Sequence, residues 1–307
     1  MGILYFFQSI RFPLLDKIML AVTTLGEETA FLVLALIFFW CVDKKRGYFI
    51  MTVGFMGTMI SQVMKMIFRI PRPWVQDPNF KVVGNAQEAA GGYSFPSGHS
   101  QSAVGVLGSI AASSKRKWVA AVCVVFMVLV PVSRMYLGVH TLSDVLVGSG
   151  LSLGLIALAK PIIWGKSEKG MKILVAVMLV MSVLQVLFVE FFPFPADMDA
   201  YNLEHGTENA YTLLGCLIGV ALVYVVDSKW LNFQVDAVWW AQILKAVGGL
   251  AAVLAVKEGM RAPLNALFSG HLAARAVRYF LIVTVAGIVW PMTFRWFSRL
   301  GRKEEKA

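Results

Sequence analysis

Two histidines, a carboxylate and a handful of cations are the residues of this chain best suited to chemistry. His99 stands in Pro96-Ser97-Gly98-His99, His140 in Ser133-Arg134-x5-His140-x3-Asp144, and Lys65, Arg69 and Arg72 precede them. In a helical reading His140 and Asp144 are four apart and share one face. The carboxylate can then hold the imidazole in the tautomer and orientation that leaves its other nitrogen nucleophilic. Two arginines can fork onto the oxygens of a phosphate while a lysine acts as a point charge. The Ser97-Gly98 turn can aim backbone N–H groups at the same anion. With His99 as general acid for the leaving oxygen, the set describes phosphoryl transfer through a phosphohistidine.

These residues are scattered along the chain, so larger elements must gather them. Of 307 residues, 58% are hydrophobic and only 15% charged, against about 25% charged in an average soluble domain. Too few solvated groups remain to cover a soluble surface. Runs without Asp, Glu, Lys or Arg occur at Thr29 to Val42, Tyr48 to Met64, Gly91 to Ser114, Trp118 to Ser133, Val145 to Ala159, Ile173 to Val189, Ala210 to Val226 and Tyr279 to Phe294, and a further run, Ala237 to Val256, is interrupted only by Lys245. Such runs approach the ~20 apolar residues that cross a bilayer as helix. The expected fold is all-α, a polytopic transmembrane bundle of about nine spans. The first 25 residues mix Ile3, Leu4, Phe6, Phe7 and Ile10 with Arg11, Pro13, Asp16 and Lys17, a pattern that suits a helix lying in the interface or one packed on the bundle. Alternating topology brings the ends of spans two and four to the same face as the beginnings of spans three and five, which gathers Lys65, Arg69, Arg72 and Arg134 with both histidines.

The net charge of +10 is explained by where the basic residues fall, and nucleic acid is not an expected partner. Lys44, Lys45, Arg46, Lys115, Arg116, Lys117, Lys160, Lys166, Lys169, Lys172, Lys229, Arg295, Arg299, Arg302, Lys303 and Lys306 fall on one side of the alternation, which reads as cytoplasmic, with the C-terminus, by the positive-inside rule. Lys245 is placed to snorkel from that side. The candidate site then lies on the non-cytoplasmic face. Cys41, Cys123 and Cys216 sit in apolar runs and read as small packing hydrophobes, and the start of the chain does not read as a signal peptide.

At this point the residues resemble a family. Lys65-x6-Arg72-Pro73, Pro96-Ser97-Gly98-His99 and Ser133-Arg134-x5-His140-x3-Asp144 are similar to the three-part signature of the type 2 phosphatidic acid phosphatase superfamily, with every position filled and in order. The resemblance implies that Lys65, Arg72 and Arg134 bind phosphate with Ser97 and Gly98, that His99 protonates the leaving group, and that His140 attacks phosphorus with Asp144 behind it. It also implies a metal-independent enzyme with no cofactor. Many lipid phosphatases of the superfamily have six spans; a nine-span layout looks more like the sphingosine phosphate phosphatases and the glucose-phosphate phosphatases of the endoplasmic reticulum. The expected organisation is an interfacial segment over residues 1–25, a catalytic core over 26–160 and a transmembrane extension over 161–307. The expected activity is hydrolysis of a lipid phosphomonoester or diphosphate in a multi-pass protein, of a bacterial-type plasma membrane or, in a eukaryote, of the endoplasmic reticulum. A sugar-phosphate phosphatase, a lipid phosphotransferase, and a phospholipid binding or transport protein are the alternatives; no oligomeric state follows. Asp197, Asp199, Glu204, His205 and Glu208 lie in one acidic loop on the side of the site; it reads first as a solvated connection, with a rim or lid over the site and, less in keeping with the nearby cations, a metal site as the sharper readings. His271, Arg275, Arg278, Lys257 and Arg261 read as a solvated flank, or as contacts for anionic headgroups.

Overall fold

The computed structural model describes residues 1–88, 90–165, 167 and 169–300; Lys166, Arg302, Lys303 and Lys306 lie outside them. Among the described residues every regular element is a helix. In chain order the α-helices are α1 (Gly2–Ser9), α2 (Pro13–Thr23), α3 (Glu28–Ile37), α4 (Lys44–Phe68), the short α5 (Pro73–Gln76), α6 (Gly98–Ser113), α7 (Lys117–Tyr136), α8 (Leu142–Trp164), α9 (Lys169–Phe191), α10 (Ala200–Val226), α11 (Trp239–Gly259), α12 (Arg261–Leu267), α13 (Ala273–Thr284) and α14 (Phe294–Arg299). Local chemistry sets several starts. Pro13 and Pro73 open their helices, where a missing N–H costs nothing. Thr141 and Asp144 form a reciprocal capping box at the head of α8, which satisfies two otherwise orphaned backbone donors.

Among the described residues seven helices or helix pairs are long and apolar enough to cross a membrane, and α2 with α3, bent by 55° at their junction, makes eight if it is taken as one broken span. The two runs that give no single full-length helix have local reasons. Gly91 to Ser114 contributes only the 16 residues of α6, because Ser97 accepts the N–H of Ser100 and starts the helix at Gly98. Thr29 to Val42 divides into α3 and a π-helical turn at Phe38–Val42.

The chain forms two compact units. The first comprises Met1–Leu32, Phe49–Ser167 and Phe191–Thr207. At its centre α6 packs against α7 and α8, with Ser100, Gln101, Ala103, Val104 and Val106 buried. The N-terminal helices belong to this unit: Leu4 is buried, the Tyr5 hydroxyl donates to Asp77 at 2.6 Å, and the Tyr136 hydroxyl donates to Asp16 at 2.6 Å. Phe6, Phe12, Leu14 and Ile18 of the same segment remain exposed. The second unit comprises the described parts of Val33–Tyr48, Glu168–Glu190 and Glu208–Ala307. Inside it Lys245 does not snorkel. It is wholly buried, donates to the Val235 carbonyl at 2.8 Å, and lies 4.5 Å over the Phe294 ring, so an acceptor and a π face replace water around the ammonium.

Candidate active site

The site is assembled at helix ends of the first unit. Lys65 occupies the last turn of α4 and donates from Nζ to the Tyr93 carbonyl. Beyond it Arg69 takes a left-handed backbone, φ 49°, and Pro71 and Pro73 turn the chain so that Arg72 becomes the residue before α5. Arg72 is held firmly. Its Nε donates to the Gly92 carbonyl at 2.9 Å, one terminal nitrogen to Gly91 at 2.6 Å, and the other to Val139 at 3.1 Å and to His140 Nε2 at 2.9 Å. Arg69 is exposed and does not join the buried group.

The contact with Arg72 fixes the state of His140. A guanidinium has donors only, so Nε2 must accept, and the ring proton sits on Nδ1. That nitrogen faces Asp144 Oδ2 at 3.5 Å. Oδ2 also accepts the Ser94 hydroxyl at 2.6 Å and the Thr141 N–H at 2.8 Å. Two hydrogen-bond donors therefore converge on one carboxylate oxygen with the imidazole facing it, and the Nε2 electron pair of His140 is directed at Arg72. His140 and Asp144 are each 1% exposed. Burial first, then the charges of Arg72, Arg134 and Lys65, hold His140 well below the ordinary imidazole range, and the ring is neutral at neutral pH.

Arg134 ends α7 and is buried. One terminal nitrogen donates to the Thr23 hydroxyl at 2.8 Å, while its Nε is buried with no acceptor among the described residues. The turn that follows is tied from outside by Arg11, whose Nε and one terminal nitrogen donate to the Tyr136 carbonyl at 3.1 and 2.7 Å. Gly138, with φ +84°, supplies the left-handed residue that this turn requires.

His99 lies in the first turn of α6 and is half-buried, and its ring makes no hydrogen bond among the described residues; Arg134, Arg72 and Lys65 all act on it electrostatically. Ser97 and Gly98 head the same helix. The Ser97 N–H donates to the Asp144 carbonyl at 3.0 Å, joining α6 to α8. A side chain added at Gly98 would meet nothing within 4 Å, so the space before the helix end is open, whereas one at Gly148 would come 2.5 Å from the Ser97 carbonyl oxygen. α6 and α8 touch there because Gly148 has no Cβ.

The structure thus brings together Lys65, Arg72, Ser97, Gly98, His99, Arg134, His140 and Asp144. Sequence reasoning missed Ser94, Thr23 and the carbonyls of Gly91, Gly92, Tyr93 and Val139. Only Thr141 carried a readable signal, as the first residue of Thr141-x-x-Asp144. The acidic loop holds no group of three metal-ligating side chains among the described residues; Asp199 caps α10 through the Asn202 N–H at 2.8 Å. Its Tyr201 and His205 rings stack 7° from parallel at 6.0 Å. A Cβ added at Gly91, whose carbonyl holds Arg72, would come 3.2 Å from the Tyr201 hydroxyl and 3.5 Å from His205 Nε2.

Three buried cations lie around a neutral imidazole whose Nε2 electron pair faces one of them, Arg72, beside an open helix N-terminus, an arrangement suited to an anion. Residues 46–168 match the PAP2 superfamily and residues 211–303 the transmembrane extension of PAP2 superfamily phosphatases. The chain belongs to the PAP2 superfamily, and it is an integral membrane phosphatase. It is similar to phosphatidylglycerophosphatase B of Bacillus subtilis (strain 168), 31% identical over 163 residues, which cover 49% of this chain and 76% of that one. It is also similar to sphingosine-1-phosphate phosphatase 2 of Mus musculus, 28% identical over 143 residues, which cover 45% of this chain but only 39% of that one. No solved structure matches it.

Proposed function

We propose that this chain hydrolyses a phosphomonoester or diphosphate carried on a membrane lipid, at the non-cytoplasmic interface of a multi-pass bundle of about nine spans, through a phosphohistidine on His140. The carrying observation is the charge balance around His140 Nε2. Lys65, Arg72 and Arg134 are all buried there, the carboxylate at the ring, Asp144, is already engaged by the Ser94 hydroxyl and the Thr141 N–H and faces the ring itself, and Arg134 keeps a buried N–H without an acceptor among the described residues. Desolvated cations in excess of their counter-ions cost several kcal/mol each, and a phosphate supplies both the charge and the acceptors. Both relatives are named for lipid phosphates, which favours a lipid over a sugar phosphate.

In the first step His140 Nε2 forms a bond to phosphorus and the bond from phosphorus to the leaving oxygen breaks; His99 gives that oxygen its proton. Asp144 faces the Nδ1–H throughout and stabilises the positive ring. Lys65, Arg72, Arg134 and the Gly98 N–H at the head of α6 bear the charge of the equatorial oxygens, where stabilisation of the transition state concentrates; the Ser97 N–H is already given to the Asp144 carbonyl. In the second step water attacks the phosphohistidine, His99 takes its proton, and inorganic phosphate leaves with Nε2 restored. No metal or cofactor enters. Passing the phosphoryl group to another alcohol instead of water would make the same site a phosphotransferase.

The test is phosphate release from lysophosphatidic and phosphatidic acids, phosphatidylglycerol phosphate, polyprenyl phosphates and diphosphates, sphingoid phosphates and glucose phosphate, together with trapping of an acid-labile phosphoenzyme. His140→Ala should abolish turnover and the phosphoenzyme while a phosphate analogue still binds. Turnover of glucose phosphate above every lipid would overturn the lipid assignment, and undiminished turnover by His140→Ala the nucleophile.

A further inference from the structure

The second unit has a cavity of its own. About 420 Å³ in volume, it lies in the second unit where one candidate span, Trp239–Leu267, gives way to the next, Ala273–Arg299. The junction of two consecutive spans must lie at a membrane face. Lys257, Glu258, Arg261, Arg275 and Arg278 line the cavity together with Glu208.

The charges do not balance. Glu208 is used by Arg275, at 2.6 Å, and Arg275 also donates to the Thr212 hydroxyl at 2.9 Å. Glu258 lies 3.9 Å from the neighbouring Lys257. Arg261 and Arg278 are left without an ion pair among the described residues, and the Nε of Arg278 is buried there without an acceptor. The other side of Arg278 rests on the Tyr279 ring at 5.4 Å, which orients the guanidinium without supplying an acceptor for its N–H groups. Two uncompensated forks beside a lysine, in a concave site at a membrane face, match an oxyanion with several acceptor oxygens.

From this geometry we infer that the extension carries a second anion site, separate in sequence from the catalytic motifs, that holds a phosphate-bearing headgroup between Arg261 and Arg278. The site binds without turning over. A phosphodiester headgroup such as that of phosphatidylglycerol fills it, and the acyl chains of the lipid lie along the spans on either side. The inference does not depend on the phosphatase reading, because the ligand need not be a substrate.

The experiment uses the full chain in detergent, followed by its thermal transition as phosphatidylglycerol is added against phosphatidylcholine as the zwitterionic control. Phosphatidylglycerol should raise the transition saturably. Arg261→Gln, a change at an exposed residue that leaves the fold intact, should weaken half-saturation by about tenfold, as expected for one charge-assisted contact. Arg261→Gln with Arg278→Gln should abolish the shift, and Arg278→Lys, which keeps the charge but not the fork, should fall between. Phosphate release by all three variants should stay at the wild-type level when substrate is saturating. Glycerol phosphate and inorganic phosphate form the second arm. If they compete with the lipid, the anion alone is recognised; if they do not, the site reads a headgroup fixed in a membrane. An equal shift by phosphatidylcholine, or an unchanged shift in the double variant, overturns the inference.

Discussion

Asp144→Asn is the sharpest probe of the candidate site, because it separates the acceptor that orients the His140 ring from the charge that stabilises the ring once it is positive. The Ser94 hydroxyl at 2.6 Å, the Thr141 N–H at 2.8 Å and His140 Nδ1 at 3.5 Å all address the single oxygen Oδ2. Asparagine can place its amide oxygen at that position and accept from all three. The ring proton then stays on Nδ1, Nε2 stays the unprotonated nitrogen facing Arg72, and only the negative charge is lost. A hydrogen bond to a charged partner contributes about 1.5–3 kcal/mol and a neutral one about 0.5–1.5 kcal/mol, so the His140 contact should weaken by roughly 1–1.5 kcal/mol. That corresponds to a fivefold to fifteenfold fall in the rate of phosphoenzyme formation. Asp144→Ala, by contrast, leaves three buried donors without an acceptor and removes half of the α8 cap, at about 1–3 kcal/mol for each orphan; it should lower the thermal transition as well as the rate. Single-turnover phosphorylation of the full chain in lipid nanodiscs gives the rate, and nitrogen chemical shifts of the His140 ring give the tautomer. A loss beyond about a thousandfold in a folded Asp144→Asn protein, or a resting ring protonated on Nε2, would refute the reasoning.

Two further outcomes are expected. Gly148→Ala sets a methyl 2.5 Å from the Ser97 carbonyl oxygen, whereas Gly150→Ala and Gly154→Ala meet nothing within 4 Å; the first should cost about 1–3 kcal/mol of stability through overpacking and up to about a hundredfold in rate through the shifted α6 head, and the two controls neither. Because burial and three cations depress His140 in the folded state, the unfolded chain binds its proton first as pH falls, so the wild type should lose stability on acidification below about pH 6.5, the ordinary imidazole value. His140→Gln should show a shallower slope, and parallel thermal transitions of the two proteins between about pH 7.5 and 5.5 would count against the depressed value.

What the sequence made legible was the part written in side chains at fixed intervals. The Pro96-Ser97-Gly98-His99 turn describes local geometry that the structure keeps, since a helix begins at Gly98; the x3 spacing does bring His140 to Asp144, but not along one helical face, because His140 lies in a bend before the capping box that starts α8 at Leu142. The grip on Arg72 was not legible, because it is made by the carbonyls of Gly91, Gly92 and Val139, and a carbonyl is present at every residue. Ser94 escaped notice for a related reason. It reaches Asp144 from 50 positions away, and only the path of an irregular loop decides which of several serines arrives. The start of the span was hidden by the same loop: absence of charge from Gly91 onward does not distinguish a coil buried in protein from helix, and non-helical backbone at membrane depth is tolerated where protein covers it.

Thr23, which meets Arg134 at 2.8 Å, Arg11, which fastens the Tyr136 carbonyl, and Gly26, where a Cβ would come 2.8 Å from the His99 carbonyl oxygen, all precede residue 46, at which the family match begins. The homologous segment is therefore not a self-sufficient module. A chimera or truncated fragment cut at that boundary would retain every signature residue and still lose the struts that aim Arg134 and steady His99, and transplanting the activity into another scaffold requires the leading helices to travel with it.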